Sequence, residues 1–155
     1  MKGTDYPNWV AERAKCNMRL LLKDVQQLVK DATDAMNTES KKEGFRQGMF
    51  EYWLVAEQPL SFSVSHLLSR TSTNPVAICR FTYDPEKNSI VVCQSNPDHV
   101  YTIQTRWDAE HVACGVLIGR SLDYNDEEQA VRFLHADLWK VVQYILEPFF
   151  FPPSA

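Results

Sequence analysis

Apolar side chains change their spacing twice along this chain, and the two changes divide it into three. In the first part Ala11, Ala14, Met18, Leu21, Val25, Leu28, Ala32 and Ala35 recur at alternating steps of three and four. That is one apolar seam on an α-helix, and it predicts a long helix over 5–36. Leu22, Val29 and Met36 widen the seam, which suits packing onto a broad surface such as a sheet better than a narrow coiled-coil stripe. Thr4 or Asp5 is placed to cap its start, with Pro7 tolerated in the first turn. Residues 37–44 contain no apolar side chain and read as a solvated loop.

Over 45–118 the period falls to two. Met49 to Ala56 is rich in aromatics and reads as a strand, with a short helix as the alternative, and Phe62, Val64 and His66 alternate with Ser61, Ser63 and Ser65. Val76 to Tyr83 and Ser89 to Gln94 flank Asp84-Pro85-Glu86-Lys87-Asn88, whose Pro and Asn predict a hairpin turn. Val100 to Thr105 and Val112 to Ile118 form a second antiparallel pair. No helical pattern separates these strands, which excludes the crossovers a parallel sheet requires.

The helical period returns over 125–147, where Val131, Leu134, Leu138, Val141 and Ile145 share a face. Asn125 with Glu128 fits a capping box, Asp126 and Glu127 suit the positive end of the helix dipole, and Pro148 is expected to end the helix. Residues 148–155 are then a Phe/Pro-rich tail. The expected fold is a single α+β domain over 1–155. It has a long N-terminal helix, an antiparallel sheet of about 4–6 strands, and a C-terminal helix packed on the same face of that sheet.

Composition narrows this little. At 155 residues, 45% hydrophobic and 23% charged, the chain suits one globular domain with its own core. A formal charge of −4 argues against nucleic acid as a partner. Lys15, Arg19, Lys23 and Lys30 do line one helix face, but Glu12, Asp24, Asp31 and Asp34 lie among them and weaken the field. No apolar run is long enough to span a bilayer, and the start has no secretory apolar segment. A soluble protein of the reducing cytoplasm is therefore expected, with Cys16, Cys79, Cys93 and Cys114 as thiols.

The recognisable enzyme signatures are missing. The five glycines do not cluster into a phosphate or dinucleotide loop. Neither a Cys-x-x-Cys, a His-x-x-x-His nor a Gly-x-Ser-x-Gly sequence occurs. No cofactor and no metal are expected. With the hairpin turn centred on Glu86, Cys79 and Cys93 become cross-strand neighbours. That pair offers a redox couple, or half a metal site completed by His99, His111 or Cys114. Buried small hydrophobes are the more common role of such thiols.

Two surfaces stand out. Arg106, Trp107, Tyr101, His99 and His111 are placed to line a small-molecule pocket between the sheet and the long helix, with Arg106 as its anion contact. Phe149, Phe150 and Phe151 are too apolar for a free tail; they fold back on their own domain or form a subunit interface. The expected function is a non-enzymatic protein-interaction module acting as a homodimer. Its alternatives are a small-molecule-binding protein or modest enzyme, and a thiol-based redox or metal protein.

Overall fold

The computed structural model describes residues 8–69, 71–95, 98–121, 128–134 and 137–152. Two helices lead, α1 (Asn8–Lys15) and α2 (Met18–Lys42). Seven strands follow: β1 (Met49–Glu57), β2 (Leu60–Leu67), β3 (Ala77–Asp84), β4 (Ser89–Gln94), β5 (His99–Asp108), β6 (Ala113–Ser121) and β7 (Glu128–Leu134). Helix α3 (Leu138–Phe150) ends the described chain. The strands form one sheet in the order of the sequence, every neighbouring pair antiparallel. The α+β class is as expected, with seven strands where 4–6 were anticipated.

Alternation decides which side chains meet the helices. Phe62, Val64, Cys79, Phe81, Ile90, Val92, Tyr101, Ile103, Val116 and Ile118 turn to one face and are buried there. They share a core with Met18, Leu21, Val25 and Val29 of α2 and with Val141 and Ile145 of α3. Burying each such side chain is worth about 1.5–3 kcal/mol, so the sheet face and the two helices stabilise one another. Phe62 and Phe81 stack across β2 and β3 with centroids 5.0 Å apart. From β4, Gln94 reaches through this core and its Nε2 donates to the carbonyl of Ile145 at 2.8 Å, fixing α3 against the sheet.

The long N-terminal helix is broken and displaced. Cys16 and Asn17 separate α1 from α2, and Asn17, extended at φ −148°, caps α2 by accepting from the Arg19 N–H. Its Oδ1 also accepts from Nδ2 of Asn88 in the β3–β4 turn, so a distant turn helps to fix the break. At the other end α2 runs through the stretch expected as a loop, to Lys42. Thr38 Oγ1 donates to the Asp34 carbonyl, and Lys42 pairs with Glu39 at 2.7 Å. Gly44 at φ +68° ends the helix, and the Phe45 N–H donates back to the Ser40 carbonyl.

The C-terminal helix over 125–147 is also corrected. Residues 128–134 are β7, with Val131 opposite Ile118 and Phe133 opposite Val116. Seven residues with Val131 and Phe133 alternating satisfy a strand as well as a helix, and pairing with β6 decides the matter. Pro148 lies inside α3 and does not end it. It removes one N–H from the helix, and the burial of Phe149 and Phe150 beyond it offsets that loss. The expected caps at Thr4 or Asp5 with Pro7, and at Asn125 with Asp126 and Glu127, lie outside the described residues.

The cysteines differ from expectation as well. Cys16 and Cys114 form a disulfide, with Cα atoms 5.4 Å apart and a sequence separation of 98. No local pattern announces a pair so far apart. Four thiols were expected from a reducing compartment; two of the four are instead joined in this bond. Among the described residues, no helix is long and apolar enough to cross a membrane.

Candidate functional site

Strand β5 carries most of the residues that sequence singles out, but it distributes them. His99 and Tyr101 sit at its start and Trp107 near its end, about 20–26 Å away at the rise of a strand. Arg106 is exposed on the outward face, while Trp107 turns inward toward α1, so the two do not line one cavity. Arg13 of α1 lies over the Trp107 ring at 5.8 Å. His111 is exposed and its Nδ1 is 2.8 Å from Oδ2 of Asp108, which also accepts from Arg132 at 3.2 Å. The His111 hydrogen bonds hold the Asp108 carboxyl down at about 2.

The other end of β5 holds a tighter group. Arg120 of β6 places Nη2 at 3.0 Å from Nδ1 of His99, and the Arg120 Nε is buried without a hydrogen-bond acceptor among the described residues. Burial, with the Arg120 charge second, lowers the His99 pKa. Tyr101 is buried beside it, edge-on to Tyr144 of α3 at 6.3 Å, and burial raises its pKa. Sequence reasoning named His99 and Tyr101 but missed Arg120. The signal was its position in β6, opposite Tyr101 in the register.

The thiols do not meet. The β3–β4 register pairs Cys79 with Gln94 and Cys93 with Arg80, one residue off a turn centred on Glu86. Such a slip sends the two to opposite faces. Cys79 is fully buried and desolvation pushes its thiol up to about 12, whereas Cys93 is exposed. The two form no redox couple in this fold.

The Phe-rich segment also separates. Phe149 and Phe150 pack on Phe50 of β1, with centroids at 5.7 and 4.8 Å, and belong to the core. Phe151 is 62% exposed. It sits at one end of a strongly apolar groove of about 550 Å³ between α2 and α3. Leu28, Ala32, Ala35 and Met36 form one wall, and Trp139, Val142, Leu146 and Phe150 form the other.

Helix geometry explains why the groove exists. The N-terminal half of α2 buries Met18, Leu21 and Val25 as the seam requires, but the buried line then continues through Val29, Thr33, Met36 and Ser40. Leu28, Ala32 and Ala35, expected at the centre of the seam, are left beside it. Two apolar rows on one helix mean two surfaces to cover, and the sheet covers one. Small Ala32 and Ala35 leave the space, and Trp139, 53% exposed, stands across it. Asp31, Glu39 and Glu147 rim the opening. Glu39 is paired with Lys42, while among the described residues Asp31 and Glu147 accept only from the neutral amides of Gln27 and Gln143.

The fold and groove define an α+β protein built on one antiparallel meander with its helices on a single face. No family model matches this chain, and neither a curated protein nor a solved structure is significantly similar to it.

Proposed function

We propose that this chain is a non-enzymatic protein-interaction module that acts as a homodimer and presents the α2–α3 groove to an amphipathic helix of a partner protein. The observation that carries the reading is the half-covered row Leu28, Ala32 and Ala35, facing the exposed Trp139 and Phe151. A partner helix with an apolar stripe at i, i+4 and i+7 fits between two helices of this kind. Asp31 and Glu147, without an ion pair among the described residues, select basic residues flanking that stripe. The interior of the groove lacks the convergent polar groups that fix a small molecule, which favours a helix over a metabolite.

The test is an NMR titration with a designed amphipathic peptide bearing a Leu stripe flanked by lysines. Saturable shifts at the Trp139 indole N–H and at Leu28, lost in Trp139→Ser, are expected. Equal binding of the same stripe flanked by glutamates would defeat the charge argument, and no saturable shift with either peptide would defeat the groove.

One observation favours a second reading, a site for a small anion. The buried Arg120 Nε lacks an acceptor among the described residues, and Tyr101 and His99 lie beside it. A carboxylate or phosphate would give that guanidinium a partner. Native mass spectrometry of the purified protein separates the readings, because the anion adds a fixed mass that Arg120→Gln removes.

A further inference from the structure

The two edges of the sheet are not alike. β7 places Arg132 in an ion pair with Asp108, a cation of the sort that discourages edge-to-edge pairing. β1 carries Trp53, Leu54 and Val55 in succession, each 46–51% exposed, and no cation at all. Its backbone states which groups are open. Phe50 donates its N–H to Oδ1 of Asn37 and accepts from Nδ2 of Asn37, so both of its main-chain groups point away from β2 and are closed by the α2 side chain. Alternation along an antiparallel strand then turns the N–H and C=O of Tyr52 and Leu54 outward too. Among the described residues nothing bonds to them. Beyond Leu54 the ladder is interrupted by a bulge at Val55.

We infer that two copies of this chain join through β1, edge to edge and antiparallel, with Tyr52 opposite Leu54 of the second copy and the two Trp53 side chains facing each other across the two-fold axis. The inference rests on the homodimer part of the proposed function and is independent of the groove. Register argues for it. With Trp53 on the axis, the open groups of Tyr52 and Leu54 in both copies exchange four hydrogen bonds, and none is left over. Centring on Tyr52 would set Leu54 of the second copy against Phe50, whose groups Asn37 already occupies. Centring on Leu54 would bring Glu51 opposite Glu57 of the second copy, a like-charge contact. The favoured register sets Glu51 against Val55 instead. It also places the Trp53 rings as a non-hydrogen-bonded cross-strand pair, the closer of the two pair types. The Asn37 cap on one side and the bulge on the other leave a window of this length and no more.

The experiment measures the mass of the intact protein against concentration by light scattering and native mass spectrometry, with disulfide trapping as a second readout. A concentration-dependent dimer is expected, weakened at least tenfold by Leu54→Pro, which removes an outward N–H, and by Trp53→Lys. Circular dichroism should show both variants folded, and Trp53→Lys keeps the test alive if Leu54→Pro does not fold. In a Cys93→Ser background, Trp53→Cys should trap a covalent dimer on mild oxidation, whereas Glu51→Cys, facing Val55 of the second copy, should not. A protein monomeric at every concentration overturns both the edge contact and the homodimer reading. A dimer that survives Trp53→Lys, with no trapping at Trp53→Cys, overturns the edge contact and leaves the homodimer to another surface.

Discussion

Helices α1 and α3 flank the same meander and are held in opposite ways. Seven residues of α3 are buried, among them Val141, Ile145 and Leu146, and Gln94 bonds its backbone from beneath. None of the residues of α1 is buried; Trp9 and Val10 are 50% and 56% exposed. What fixes α1 lies at its C-terminal end, where Cys16 is bonded to Cys114 and Arg13 lies over Trp107. One helix is an organ of the core, the other an appendage tied on by a covalent bond. Amphipathic spacing alone does not say whether a helix is packed: Ala11 and Ala14 continue the seam of α2 in sequence and bury nothing in space.

The contrast can be broken most directly at α3. Ile145→Ala, removing a fully buried side chain, should lower unfolding free energy by about 2–5 kcal/mol in urea or thermal melts. A loss under about 1 kcal/mol would mean that α3 is not part of the core. Next in size is the tether. Cys16→Ser with Cys114→Ser opens a closure of 98 residues and should cost about 2–4 kcal/mol, the cost reproduced by reducing the wild type. Gln94→Ala leaves the Ile145 carbonyl without its buried donor and should cost about 1–3 kcal/mol, again measured by melting.

At the appendage the expected effects are small. Trp9→Ala should change stability by no more than about 0.5 kcal/mol, and a larger loss would show that α1 is covered in the native assembly. Smallest is the pH effect beside α1. The folded carboxyl of Asp108 titrates at about 2, below its ordinary 3.8, chiefly through its hydrogen bonds from His111. Its contribution is therefore present above the ordinary value and lost as pH falls from about 4 to about 2. His111→Ala should raise the Asp108 midpoint in an NMR titration toward that ordinary value.

Legibility followed the range of the deciding contact. The hairpin of β3 and β4 was readable because Pro85 and Asn88 lie within the turn they make, as were β1 from its aromatics and β2 and the β5–β6 pair from their alternation. The break between α1 and α2 was not, because Asn17 caps with the help of Asn88, 71 residues away. The end of α2 was available in Gly44, but the lack of apolar residues over 37–44 outweighed it. β7 was missed because its length fits both periods and β6 makes the choice. Of the candidate sites, His99 and Tyr101 were found and prove to be neighbours, whereas Arg106 and His111 fall elsewhere on or beside β5. The groove was hidden in plain residues: Leu28, Ala32 and Ala35 look like core until the sheet is seen to cover the adjacent row.

The order of the strands also governs how the chain closes on itself. Each ladder joins segments that follow one another, and the longest connection between paired strands among the described residues is 68–76. The entropy lost in closing a loop rises only slowly with its length, and here every sheet closure is short. Pairing between sequence neighbours keeps contact order low, and low contact order goes with fast folding. Among the described residues, remote parts of the sequence meet where the helices dock, as Asn17 does with Asn88, and where Cys16 is bonded to Cys114.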